Sequence, residues 1–135
     1  MVTAADYRVL VGGAASGELL HLEAPLSLWG GLDPTSGLII DRSHPQVGSN
    51  MSGRIVVMAH GRGSSSSSSI LAEALRVGTG PAGFVLGEPD AILVIGALVA
   101  QRLYTTSCPI VCGPVPRGWA GMWRIDNNRL SPFSA

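Results

Sequence analysis

The chain has 135 residues, enough for one domain with a real core. Its nine basic and nine acidic residues cancel, and every basic residue is an arginine; nucleic acid and anionic membrane surfaces are thereby poor partners, and a Schiff-base or P-loop lysine is excluded. Charged residues make up only 13%, against the roughly 25% of ordinary soluble domains, so either a partner covers part of the surface or the core is large for the chain.

The first half reads as β-rich. Residues 7–11 form an apolar, partly β-branched run, Gly12-Gly13 punctuates it, and Gly17-Glu18-Leu19-Leu20 resumes: a strand, a glycine turn and a second strand. Residues 23–29 continue in extended form to Gly30-Gly31. The cluster Asp33-Pro34-Thr35-Ser36-Gly37 is a dense turn signal in which Asp33 suits an Asx turn, and Leu38-Ile39-Ile40 reads as the next strand. A loop over 41–53, carrying His44-Pro45, leads to Arg54-Ile55-Val56-Val57-Met58, whose β-branched composition predicts a buried strand.

After that strand come His60-Gly61-Arg62-Gly63-Ser64, further serines to Ser69, and Ile70-Leu71-Ala72-Glu73-Ala74-Leu75. Ile70, Leu71, Ala74, Leu75 and Val77 lie on one face at helical spacing, and Gly78 supplies a stop. A strand, a glycine turn and a helix start place free backbone N–H groups and the positive end of a dipole together, where they attract carboxylates and stabilise charge on a nearby serine oxygen. Ser64, the first hydroxyl past the turn, is the candidate working residue. A serine-rich linker is the competing reading, although a linker has no reason to join a buried strand to a capped helix. Ser67, about one turn further on, reads as a helix residue whose removal should be nearly silent. His60 adjoins the turn and could share its anion; Arg62 could bind a carboxylate bidentately or pair with an acidic neighbour.

Residues 82–86 read as a strand. Asp90 suits the N-cap of a helix over 91–104, with a strand as the alternative, and 109–112 returns as a strand. Cys108 and Cys112 lack the partners of a zinc site and read as buried free thiols. The longest apolar run, 91–100, falls far short of the roughly 20 residues a membrane span needs. The N-terminus shows no basic region followed by an apolar core, which points to a cytoplasmic location. The stretch 113–135, with Trp119, Trp123 and Asn127-Asn128, has little periodicity and is either a docking arm or poorly ordered. The expected fold class is α+β, with a β-rich first half and a helix–strand–helix–strand second half.

Three stretches carry a family resemblance. Residues 25–41, Pro25-Leu26-Ser27-Leu28-Trp29-Gly30-Gly31-Leu32-Asp33-Pro34-Thr35-Ser36-Gly37-Leu38-Ile39-Ile40-Asp41, resemble the signature of the aconitase X small subunit, or swivel domain, and Gly61-Arg62-Gly63-Ser64-Ser65 resembles its second. A third similarity spans 81–100. The resemblance implies a swivelling β/β/α domain over residues 1–112, with 113–135 as a separate tail. It also implies a hydro-lyase reaction shared with a large subunit that carries iron or an iron-sulfur cluster, this chain binding no metal or cofactor itself. On that footing Ser64 is the base of a dehydration, Gly61, Arg62, Gly63 and Ser65 contact a small carboxylate substrate, and Trp29, Gly30, Gly31 and Asp33 form an interface or site loop. The sequence departs from the family at Ala59, where proline is frequent, and from aconitase proper at Ser66, where an arginine stands; that arginine's task passes to Arg62 or the partner. The family dehydrates either cis-3-hydroxy-L-proline or mevalonate 5-phosphate. The Trp29-Gly30-Gly31 and His44-Pro45-Gln46 details favour the first. A non-catalytic anion-binding or interaction module of the same fold is the alternative.

Overall fold

The computed structural model describes residues 5–134; residues 1–4 and 135, the extremes of the two predicted segments, lie outside them. Eight strands form one sheet in the order β1-β8-β7-β3-β4-β5-β6-β2, and two helices of more than one turn pack against it. The strands are β1 (Ala5–Asp6), β2 (Arg8–Val11), β3 (Ala14–His21), β4 (Ile55–Met58), β5 (Gly83–Leu86), β6 (Ile110–Cys112), β7 (Met122–Asp126) and β8 (Arg129–Pro132); the helices are α1 (Leu28–Gly31), α2 (Ser67–Val77) and α3 (Ala91–Tyr104).

The centre is a β4–α2–β5–α3–β6 unit with all three strands parallel. Its strands are buried throughout, as the β-branched run over 54–58 predicts for a sheet covered on both faces. Val56, Met58, Phe84, Leu86 and Ile110 face a core shared with Leu71, Ala74, Leu75, Leu93, Ala97 and Ala100 of the helices. Ile55, Val57, Val85 and Val111 face a second core completed by Trp123, Ile125 and Leu130. The result is two β layers and one α layer. Strand β3 joins the β layers: Ala14 to Glu18 pair antiparallel with β7, while Leu19 to His21 pair parallel with β4. The predicted α+β class thus encloses a parallel βαβαβ centre, and the fold is a mixed α/β one.

The stretch beyond Gly113 is neither a docking arm nor a poorly ordered tail. Strands β7 and β8 form a hairpin within the sheet, and β7 lies against β3 over five residue pairs. The physical reason is an alternation that runs through it: Trp123, Ile125 and Leu130 point inward, while Met122, Asp126 and Arg129 point out. A boundary at residue 112 would remove half of one β layer. Two further expectations differ. Leu38-Ile39-Ile40 is not a strand but makes isolated bridges, Leu32 to Ile39 and Leu38 to Asn50. The extended run over 23–29 ends in α1, a single turn kinked where Trp29 leaves helical geometry and Gly30 takes φ +79°.

Helix α3 settles the open choice at 91–104: Asp90 caps it, its carboxylate accepting from the N–H groups of Ile92 (2.9 Å) and Leu93 (3.2 Å). Gly78 ends α2 in the left-handed conformation, and its N–H donates to Ala74 and Leu75 carbonyls. Val77 is exposed rather than on the buried face. Cys108 and Cys112 are buried free thiols. Among the described residues no helix is long and apolar enough to cross a membrane.

Candidate functional site

The glycine–serine stretch lies where β4 hands over to α2. The chain leaves β4 at Met58, turns through Gly61-Arg62-Gly63, and enters α2 only at Ser67, later than the hydroxyl run suggests. Between them the N–H groups of Ser67, Ser68 and Ser69 donate to the carbonyls of Ser64, Ser65 and Ser66, a tighter i→i+3 turn ahead of the helix. Ser64 caps that turn: its Oγ accepts from the Ser66 N–H at 3.1 Å. Capping therefore belongs to Ser64 itself, and Ser66, at the helix boundary, makes no side-chain cap.

Gly63 shows why the motif needs glycine. It holds φ +112°, and a Cβ there would stand 2.5 Å from Ser27 Oγ. That close approach brings the residue 25–31 loop onto the start of α2. Ser67 locks it there, its Oγ accepting from the Trp29 N–H at 3.0 Å and lying 3.4 Å from Ser27 Oγ, while Ser27 Oγ donates to the Trp29 carbonyl at 3.2 Å. Ser67 is only 3% exposed. It is a buried structural hydroxyl, and the expectation that its removal is silent does not stand.

Together these loops line an open depression of about 460 Å³, walled by Ser27, Trp29, Gly30, Gly31, Asp41, Ser43, Arg62, Gly63 and Ser64. Six residues singled out from sequence meet here: Ser64, Gly63 and Arg62 from one loop, Trp29, Gly30 and Gly31 from the other. The other three do not line it. Gly61 packs against the carboxylate of Asp90, so close that any side chain would collide with it. Ser65 sits in the turn, its carbonyl taken by Ser68. Asp33 closes an Asx turn, its carboxylate accepting from the Thr35 N–H (2.9 Å) and hydroxyl (2.7 Å), which hold it below the ordinary carboxylate range. His60 is exposed, with Nδ1 3.0 Å from the Gly61 carbonyl oxygen, and His44 is buried on the Ala24 carbonyl at 2.8 Å.

Asp41 and Ser43 also line the depression; from sequence Asp41, like Asp33, is a candidate best read as closing an Asx turn, and Ser43 was missed. The Ser43 hydroxyl (2.7 Å) and N–H (2.9 Å) donate to Asp41 and hold its carboxyl below the ordinary range, with a smaller contribution from the Arg62 charge. The Asx-turn spacing Asp41-Arg42-Ser43 was visible, but nothing in it says that the turn abuts Arg62. The depression thus carries one cation, one ionised carboxylate, an exposed indole, and a serine oxygen that already accepts one N–H. Such a site suits a small polar ligand with a carboxylate, and the Ser64 alkoxide is easier to form than that of an isolated serine because the Ser66 N–H stabilises the charged oxygen.

A metal does not fit these residues. Among the described residues no three His, Cys, Asp or Glu side chains group as ligands. Of the residues that line the depression only Asp41 is of a type that commonly ligates metals, and its carboxylate is taken up by Ser43.

Residues 4–122 match the family model described as the aconitase X swivel domain. A cis-3-hydroxy-L-proline dehydratase of Pseudomonas aeruginosa is 50% identical over 105 residues, which are 78% of this chain and 18% of that protein. A Hypocrea jecorina enzyme of the same name is 39% identical over 101 residues, 17% of its length; the chain therefore spans less than a fifth of both. A phosphomevalonate dehydratase small subunit of Pyrococcus furiosus is 37% identical over 90% of this chain and 88% of its own length. In structure, a chain of Thermococcus kodakaraensis aconitase X, crystallised in its holo form, superposes with a TM-score of 0.84 at 26% identity, covering 97% of this chain and 98% of that one.

Proposed function

The chain belongs to the aconitase X swivel domain family, and from that premise we propose that it is the small subunit of a two-part dehydratase, with Ser64 as the base. The observation that carries the reading is the meeting of Ser64, Gly63 and Arg62 with Trp29, Gly30 and Gly31 around one depression. The substrate is a small β-hydroxy carboxylate. Identity to the Pseudomonas aeruginosa enzyme favours cis-3-hydroxy-L-proline; mevalonate 5-phosphate is the second reading, supported by the Pyrococcus furiosus small subunit, which is matched along 88% of its length.

The small-subunit form of that relative supports a large partner over the depression, and iron or an iron-sulfur cluster is assigned to the partner. No step below runs through it. Arg62 pairs with the substrate carboxylate, and the N–H groups at the glycine turn add to the hold. Ser64 Oγ takes the proton from the carbon α to the carboxylate. The electron pair of that C–H bond becomes the new C=C bond, the β C–O bond breaks, and the departing hydroxide takes up the proton that Ser64 gained, leaving as water and returning Ser64 to its basic form. One oxyanion donor such as the Ser66 N–H is worth about 3 kcal/mol, or roughly two pKa units. That leaves the alkoxide still scarce, so further donors or positive charge from the partner, acting in a site closed to water, must stabilise it. The purified chain alone is inactive in this scheme.

The test is Ser64→Ala in the co-expressed pair, against Ser69→Ala on the exposed side of α2. Ser64→Ala should lower turnover by roughly 10²–10⁴-fold while the complex still forms. The Ser66 N–H loses its acceptor, at a stability cost of about 1 kcal/mol. Equal turnover for the two variants, or loss of assembly as the whole effect of Ser64→Ala, overturns the role. Conversion of mevalonate 5-phosphate but not cis-3-hydroxy-L-proline moves the substrate to the second reading.

A further inference from the structure

We propose that Trp29 is the specificity-determining residue of this site, its indole forming the wall for the ring of a small cyclic amino acid, and that Ser67 is the positioning residue that sets the indole there. The inference rests on the depression being the substrate site. Trp29 is 59% exposed at the rim of the depression that holds Arg62 and Ser64. Of the large apolar side chains exposed among the described residues, Trp29 is the one that lines this depression.

Its backbone is held as firmly as its ring is free. The N–H donates to Ser67 Oγ at 3.0 Å and the carbonyl accepts from Ser27 Oγ at 3.2 Å. Ser67 is a buried hydroxyl whose protein partners are that loop, so the start of α2 fixes the backbone that carries the indole relative to Ser64, three residues earlier in the chain. Next to the indole the chain turns at Gly30 with φ +79°, where an added Cβ would meet nothing within 4 Å. Room is thus left beside Gly30 in the wall of the depression. A saturated ring bearing an ammonium gains twice from such a wall: its methylenes cover indole surface, and its charge is attracted to the π face. Arg62 meanwhile takes the carboxylate. An open-chain phosphorylated acid has no ammonium and gains only the carboxylate contact.

The experiment is steady-state kinetics with cis-3-hydroxy-L-proline on the pair co-expressed with the large partner, for Trp29→Ala, Trp29→Phe, Ser67→Ala and the Trp29/Ser67 double alanine variant. Trp29→Ala should raise KM roughly 5- to 30-fold while kcat changes much less. Trp29→Phe should recover most of that loss. Ser67→Ala should raise KM in the same direction, and should add nothing once Trp29 is alanine, because a positioning residue acts only through what it positions. An unchanged KM in Trp29→Ala overturns the proposal. So does loss of co-purification with the large partner, which would make Trp29 an interface residue. A Ser67→Ala effect of equal size in both backgrounds overturns the positioning role. The underlying reading fails differently: a wild-type pair that does not dehydrate this probe overturns both, whereas full activity in Ser64→Ala overturns the base alone.

Discussion

Replacing Ile125 by alanine decides whether the last strands are core or arm. Ile125 lies in the middle of β7 with 0% exposure, in a cluster with Leu19, Ile55, Val57, Val85 and Leu130. Its Cδ1 sits 2.9 Å from where a Cβ on Gly83 would be, so it is seated against β5, on the far side of that layer from the helices. Three carbons are removed by the substitution, worth about 2.4 kcal/mol at roughly 0.8 per methylene. The residual cavity adds to this, which puts the total inside the 2–5 kcal/mol range of such truncations, about 3 kcal/mol. With a denaturant slope of about 1.5 kcal/mol/M, the urea midpoint should fall by about 2 M. Met122→Ala, on the same strand but 47% exposed, should stay within about 0.5 kcal/mol of the parent. The assay is equilibrium urea unfolding followed by far-UV circular dichroism. If Ile125→Ala and Met122→Ala unfold alike, or if Ile125→Ala weakens only association with the large partner, the placement of β7 in the core is wrong.

Asp90→Ala should lower stability by about 0.5–2 kcal/mol by uncapping α3, whereas Asp90→Asn keeps most of the cap; thermal unfolding of the two checks this, and equal melting points would refute the capping role. Asp33 and Asp41 both have folded values below the ordinary 3.8. They therefore contribute stability that is complete above about pH 4 and is lost as the pH falls through their lower folded values. An Asp33→Asn, Asp41→Asn double variant keeps the acceptor oxygens but not the charge, so its urea midpoint should change less than the parent's between about pH 5 and pH 3.

Much of the centre was legible because its signals are local. The β-branched run at 54–58, the glycine at 78 and the aspartate at 90 each act on neighbours in the chain, and each stands in the structure as a strand, a helix stop and a cap. The end of the chain was misread because its signal was diluted. Trp123 and Ile125 alternate with Arg124, but two tryptophans, a proline-rich approach and a short run hid a period of two. The Asn127-Asn128 pair was the available clue: Asn127 takes φ +51° in the two-residue turn between Asp126 and Arg129. The site was half legible. Glycines around a cation before a helix pointed to Gly63, Arg62 and Ser64, but Asp41, Ser43 and the buried Ser67 enter by long-range contact, which no spacing encodes. Gly61 shows the reverse: its glycine answers to Asp90 on another helix and does not line the depression.

Strands β1 and β2 are separated by Tyr7 alone, yet they stand at opposite ends of the strand order. The sheet must therefore curl until its two margins meet at that residue, whose N–H reaches Asn128 (2.6 Å) and whose hydroxyl reaches Pro114 (2.9 Å). One margin pairs with β8 and the other with β6, so both strands before β3 wait for partners about a hundred residues further along the sequence. The β4–α2–β5–α3–β6 unit can gather first and take β2 at its β6 edge, but β1 has no partner until β8 is in place. Folding of this kind, dominated by contacts between distant parts of the sequence, is slow and leaves unpaired strand edges exposed meanwhile. A domain cut between β6 and β7 would keep its helices, leave the outer side of β3 bare, and offer a ready template for pairing with its own copies.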